Sequence, residues 1–276
     1  MENERTHRII VFRPALLRLF SSRRYWIEVI TATLICYISP YIIEIISKLS
    51  ESFPPEVIEG FKQANVYNIG LLSVPSLDIL SYTYCDRIIS GVLSGSVTQC
   101  LLIVIPTTFI AGEFSKGYFI RALMLGEKRS YMLAKYIAVS LLGTLLPIIL
   151  CPTCVGVSLT MRYNMPIYDS AALINTLIIQ VFMLLELVVC FASIAIALTG
   201  KGTTVLGLGC VMMLPLLPNY VQVFTDGNIK IEDYILVSRI VNSCEMLPTA
   251  NDVIVAVSTA AVFYGLSWLI TSVRNF

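Results

Sequence analysis

Cys151-Pro152-Thr153-Cys154 is the clearest place in this sequence where residue types and spacing could do chemistry. Two thiols in a Cys-x-x-Cys arrangement exchange electrons or bind a soft metal. Cys85 and Cys244 lie elsewhere in the chain and could pair if brought close. A membrane thiol-disulfide oxidoreductase using Cys151 and Cys154 is one reading. Packing is the other: most of the eight cysteines fall in apolar runs, and Pro147 and Pro152 would kink the segment that carries this pair. Further catalytic chemistry is sparse. The single histidine, His7, stands near the start, which leaves no His-based triad and no His-rich metal site. Gly200-Lys201-Gly202-Thr203-Thr204 looks like part of a phosphate loop, but Ala195 stands where the first spaced glycine would be. It reads as a turn.

Glu186 is the remaining chemical candidate. It sits in the middle of a long apolar run. A carboxylate at that depth in a bilayer is costly and faces a bundle interior. It could touch a polar or cationic substrate, or serve as a hydrogen-bonded structural carboxyl.

These residues are positioned by elements of a membrane protein. Hydrophobic residues make up 57% of the 276, charged residues only 13%, and the mean hydropathy is +0.80. Soluble domains hold roughly 45–50% apolar and about 25% charged residues. The excess comes in long runs, and a spanning helix needs about 20 mainly apolar residues. The reading is an all-α polytopic membrane protein with six transmembrane helices over about 26–46, 88–111, 134–161, 171–198, 203–224 and 253–273. The fifth carries Pro215 and Pro218 near its end, which should kink or stop it. The first apolar run follows an Arg-rich stretch and is long enough to span. It reads as a retained helix, not a cleaved leader.

Lys and Arg placement orients these spans. With six crossings, Arg5, Arg8, Arg13, Arg18, Arg23, Arg24, Lys116, Arg121, Lys128, Arg129, Lys135, Lys201 and Arg274 share one side. Lys48, Lys62, Arg87, Arg162, Lys230 and Arg239 take the other. Thirteen against six places both termini in the cytoplasm, in a multi-pass plasma-membrane protein. Five or seven crossings would break the segregation. Two long outer loops hold short apolar stretches, Ile79–Tyr84 and Tyr234–Val241, expected as short helices at the outer surface. A net charge of +1 gives no signal for nucleic acid.

Two segments on the basic side could meet a partner. Residues 1–25 form the N-terminus, in which Phe12, Leu16, Leu19 and Phe20 lie near one face, interrupted by Arg13 and Arg18. Arg23 and Arg24 then precede the aromatic pair Tyr25-Trp26, which suits the headgroup level. This predicts an interfacial elbow helix bent into the first span, with lipid as its neighbour. In the loop after the second span, Phe119, Ile120, Leu123 and Met124 recur at helical spacing, with Gly117 and Gly126 as bounds. A short amphipathic helix over about 115–126 is expected there.

That loop resembles the type-2 ABC transporter permeases. An acid, three residues, a glycine, a short apolar helix, a basic residue and a lysine entering the next span follow one another. Here they are Glu113, Gly117, Leu123, Leu125, Arg129 and Lys135. Tyr118 departs from the threonine usual after the glycine, and Gly126 from the proline common before the basic pair. The resemblance implies a coupling helix, with Glu113, Gly117, Phe119, Leu123, Arg129 and Lys135 at the contact with a cytoplasmic ABC ATPase. It implies that ATP and Mg are bound by that partner, and that this chain holds no cofactor and is not an enzyme by itself. A second permease half, a copy or a homologous chain, would complete the pathway. The expected function is export of a peptide or a lipophilic, antibiotic-like molecule. A non-transporting scaffold or sensor is the reading left if no substrate moves.

Overall fold

The structure, a computed structural model, describes residues 12–50, 67–68, 73–74, 86–164, 170–212, 234–243 and 248–273. They form a membrane protein of α-helices. Helix α1 covers residues 12–20 and α2 covers Arg23–Ser50. A short antiparallel pair, β1 (Tyr67–Asn68) and β2 (Ser73–Val74), matches Tyr67 with Val74. There follow α3 (Asp86–Ser94), α4 (Ser96–Ser115), α5 (Tyr118–Met124), α6 (Arg129–Tyr163), α7 (Ser170–Ala197), α8 (Gly202–Met212), α9 (Leu236–Asn242) and α10 (Ala250–Val273). Among the described residues, five stretches are long and apolar enough to cross a membrane: Arg23–Ile42, Thr98–Ser115, Arg129–Tyr163, Ser170–Ala197 and Ala250–Val273.

The helices are apolar nearly all round, as lipid requires. On α2, Ile27, Ile30, Leu34 and Ile38 face outward, while Val29, Ala32 and Cys36 are buried. On α10, Ile254, Val262, Leu266, Leu269 and Ile270 face outward, and the inner stripe is Ala256, Ala260, Ser267 and Thr271. Small residues on the packed face allow close approach of helix backbones, the contact that lipid-embedded helices rely on. Helix α7 is the central packing element, in contact with α4, α6 and α10, through Met183, Leu184, Leu187, Phe191 and Ala195.

Three helix ends differ from the sequence expectation. The second apolar run is not one rod. It breaks at Gly95, whose backbone is extended (φ −64°, ψ 141°), and then continues to Ser115. Glycine offers no side chain to pack there, and serine and threonine side chains take over the freed carbonyls. Helix α6 starts at Arg129, and its 35 residues make a rod about 52 Å long. That exceeds a hydrocarbon core of about 30 Å, so its polar first turns extend past the lipid tails. Of the fifth expected span, Gly202–Met212 is helical, and residues 213–224 lie outside the described residues. Tyr234–Val241 overlaps α9, whereas Ile79–Tyr84 lies outside the described residues.

Helix α1 folds back against the bundle. Ala15 and Leu19 are buried in a small core with Tyr25, Val29, Ile105 and Val139. Leu19 occupies the space that a side chain at Gly143 would need: an added Cβ would lie 2.5 Å from its Cδ2. The Tyr25 hydroxyl donates to the Gly143 carbonyl at 2.9 Å, and the Trp26 indole donates to the Phe20 carbonyl at 2.7 Å. These two bonds set the bend between α1 and α2.

At the opposite end, Asp252 lies in the first turn of α10. Its carboxylate accepts from the Thr249 amide at 2.6 Å and the Thr249 hydroxyl at 2.8 Å, capping the helix. Arg239 of α9 donates to its other oxygen at 2.6 Å. Both side chains are mostly buried, so removing one strands the other. Asp252→Ala is expected to cost about 3 kcal/mol, read as a lowered thermal unfolding midpoint of the purified chain. Arg239→Met combined with Asp252→Leu should recover part of the loss.

Candidate functional site

The site is built at the end of the bundle where α1, the loop after α4, the start of α6 and the turn after α7 meet. At its centre is the Glu113 carboxylate, 4% exposed. Arg18 of α1 donates to both oxygens, Nε to Oε1 at 2.8 Å and Nη2 to Oε2 at 2.6 Å. Tyr136 of α6 donates its hydroxyl to Oε2 at 2.9 Å. A buried carboxylate is tolerated because a paired guanidinium and a phenol satisfy it. The hydrogen bond to Glu113 also holds the Arg18 guanidinium above its ordinary range.

Helix α5 is aimed by two glycines. Gly117 has φ +69° and ends α4, with its amide bonded to the Phe114 carbonyl at 3.0 Å. Gly126 has φ +86° and ends α5. Its amide bonds Leu123 O at 3.0 Å and the Glu127 amide bonds Ala122 O at 3.1 Å, the paired pattern of a glycine C-terminus. Side chains rarely adopt these angles, so the two positions fix where the short helix starts and stops.

Aromatic rings hold α5 down. Phe119 is buried and stacks on Phe114, with centroids 4.3 Å apart and planes at 20°. Its ring also lies 5.8 Å from Tyr136. The Arg18 guanidinium sits 4.5 Å over the Tyr118 ring, so one arginine grips both Glu113 and α5. What remains outward is an apolar knob: Ile120 is 41% exposed, Met124 80% and Leu125 85%. Lys116, Arg121 and Lys128 are exposed around it.

The turn after α7 locks onto the same loop. Thr199 and Gly200 both have positive φ, and an added Cβ at Gly200 would meet the Phe114 Cβ at 2.7 Å. Arg129 reaches α10, donating to Thr271 O at 3.2 Å and Ser272 O at 3.1 Å, at the negative pole of that helix. Lys135 is buried and pairs with Glu127 at 3.5 Å.

All six residues expected at the contact therefore lie at this end. Glu113, Gly117 and Phe119 share one packed cluster, Leu123 is half-buried beneath the knob, and Arg129 and Lys135 brace its exit. Glu186 is not among them. It is half-buried on α7, about 16 Å along the axis from Ala197. Cys151 is buried, Cys154 is half-buried, and both are free thiols. Cys36 of α2 is likewise a buried free thiol. Cys85 and Cys244 lie outside the described residues. Arg18, Phe114 and Tyr136 were missed as members of the site. Their signals were an arginine interrupting the apolar face of α1 and an aromatic on each side of the loop.

Searches of protein-family models and of curated proteins find no match to this chain.

Breaking the Arg18–Glu113 pair should release α1. Glu113→Gln is expected to cost about 2 kcal/mol, below a fully buried pair because the Arg18 side chain is 33% exposed. Faster amide exchange over residues 12–20 would register the release. Gly200→Ala combines a left-handed backbone with a clash, so a loss of about 2 kcal/mol is expected, measured as a lower unfolding midpoint. Gly112→Ala, where an added Cβ meets nothing within 4 Å, should change it little.

Proposed function

We propose that this chain is the transmembrane permease subunit of an ATP-driven exporter and that α5 is where a cytoplasmic ABC ATPase takes hold. One observation carries this reading. A seven-residue helix and the Leu125 that follows it present Ile120, Met124 and Leu125 outward while a buried ionic and aromatic cluster clamps the other face. Exposed apolar residues on a rigid mount, ringed by Lys116, Arg121 and Lys128, fit a partner groove that is apolar within and acidic at its rim.

The chain crosses the membrane six times in this reading, with both termini in the cytoplasm. The course of the described helices supports the count. Helix α7 ends beside Phe114, and α10 ends beside Arg129, at the same end. Helix α8 leaves that end, its Gly202 beside Ala111 and its Gly209 beside Phe191 and Ile103. In this reading the fifth crossing starts with α8 and the sixth is α10. Helix α1 is the elbow, lying in the cytoplasmic headgroup layer. The basic residues of the cluster then face the cytoplasm.

ATP and Mg belong to the partner subunit, and no cofactor is required of this chain. A second permease half completes the pathway. ATPase closure pushes α5, and the clamp passes the displacement to α1, α4 and α6, while Arg129 passes it to α10. The cargo is a peptide or a lipophilic, antibiotic-like molecule carried outward.

Purification from native membranes tests this directly. An ATP-hydrolysing subunit should copurify, and Leu125→Glu with Met124→Glu should reduce its retention about tenfold, equivalent to about 1.4 kcal/mol. Glu113→Ala should uncouple hydrolysis from export. Isolation of the chain with no ATPase under mild detergent would refute the proposal. Cys151→Ser with Cys154→Ser should leave export intact, and loss of export in that variant would favour thiol chemistry instead.

A further inference from the structure

The bend between α1 and α2 leaves positive charge that no protein group answers. Arg23 and Arg24 are exposed and adjacent in the first turn of α2. Among the described residues, neither guanidinium has a hydrogen-bonded or ion-paired partner. Arg18, just before the bend, is spent on Glu113. The first turn of α2 holds no acid. The first carboxylate along the helix is Glu28, one turn past Arg24, and it lies against the Thr108 hydroxyl of α4 at 3.2 Å.

Arg23 heads the stripe of α2 that faces lipid. Ile27, Ile30, Leu34 and Ile38 follow it at spacings of four, three, four and four, which keep one helix face. These four are between 45% and 63% exposed. Arg24 stands three residues before Ile27 and borders the same face. From Ile27 to Ile38 the stripe is about 16 Å long. That is the depth of one hydrocarbon leaflet, about 15 Å. Arg23 lies about 6 Å beyond its end, where the phosphate of a lipid whose chain follows the stripe must stand. Trp26 is exposed at the same level, with its indole donating to the Phe20 carbonyl at 2.7 Å. That marks the headgroup layer.

The stripe and the arginines together select the occupant. A guanidinium takes phosphate oxygens in its planar fork. Soluble phosphate or an acidic peptide could meet the arginines, but neither can cover an apolar stripe at hydrocarbon depth. A phospholipid does both. Two adjacent uncompensated cations also discriminate between headgroups. In a zwitterionic lipid the choline cancels the phosphate, and in an anionic lipid the charge remains.

We propose that the start of α2 is a binding site for one anionic phospholipid, with its phosphate on Arg23 and Arg24 and an acyl chain along Ile27, Ile30 and Leu34. The site rests on the membrane reading of α2 and needs neither the ATPase nor transport. The bound lipid fixes the level of the bend, which Tyr25 ties to Gly143 at 2.9 Å and from which Arg18 reaches Glu113.

The chain carries its own probe. Trp26 and Trp268 are its two tryptophans, so Trp268→Phe leaves only the one beside the site. The full chain in phosphatidylcholine vesicles is then mixed with a minor fraction of chain-brominated phosphatidylglycerol or chain-brominated phosphatidylcholine, and quenching of Trp26 fluorescence is read. Phosphatidylglycerol should be favoured about tenfold, and Arg23→Gln with Arg24→Gln should bring the two lipids to parity. Lys201→Gln, an equal loss of charge in the turn after α7, should keep the preference. Inorganic phosphate should not displace the lipid. Equal quenching by both lipids in the unsubstituted arginine background would overturn the proposal and leave ordinary annular lipid. A preference that survives the double arginine variant, or falls as far in Lys201→Gln, would overturn it too. Loss of the preference on adding inorganic phosphate would reassign the arginines to a soluble anion.

Discussion

The arrangement at the α5 end depends on one buried carboxylate. Apolar packing against lipid gives little preference for one helix neighbour over another, because lipid tails are as apolar as leucine. A charge that cannot reach water does discriminate. Glu113 must find its partners inside the protein, and it takes them from α1 and from α6. Three segments distant in sequence are thereby fixed at one point, 95 residues apart for Arg18 and 23 for Tyr136. The charge is a costly way to hold helices together and a selective one: an alternative packing leaves Glu113, Arg18 or both unpaired.

From that fixed point the geometry of α5 follows. Glu113 lies four residues before Gly117, so the carboxylate anchors the last turn of α4 while the glycine turns the chain away. Phe114, next to Glu113, then faces both the Phe119 ring and the Gly200 backbone. Its neighbours leave no room for a side chain at 200, so glycine is required at the second of two consecutive positive-φ positions. The knob of Ile120, Met124 and Leu125 is thus rigid because its opposite face is fully engaged. Its exposure is not a sign of loose structure.

Much of this was legible in the sequence, for identifiable reasons. Membrane helices announce themselves by length and composition, and glycines at loop boundaries announce turns. Both signals are local. The acid, the glycines and the apolar spacing of the loop were therefore readable, as was the entry lysine. Partners were not. Arg18 could be seen as an oddity on an apolar face, but that it reaches Glu113 depends on the bend held by Tyr25 and Gly143, a contact across 118 residues. The break at Gly95 was hidden for a related reason. A glycine within an apolar run is common in membrane helices, and the interruption is held by Thr98 and Gln99 of α4 and by Gln180 of α7.

Helix α4 joins this break to the Glu113 cluster. It carries Gln99 in its first turn and Glu113 in its last, about 21 Å apart along one rod. At the Glu113 end its partners are a guanidinium and a phenol that satisfy a buried carboxylate. At the Gln99 end they are neutral and deep, where a charged residue would be far more costly to rearrange. The break lies at the deep end, so α4 can tilt there without bending its own hydrogen-bond ladder. Under the proposed coupling, a load on α5 would pass through Glu113 into α4, with the break at Gly95 as the joint. Neutral hydrogen bonds suit such a joint, since each can be exchanged for another at small cost, whereas a buried ion pair resists separation. The distribution of charge along one helix thereby divides it into a handle and a hinge.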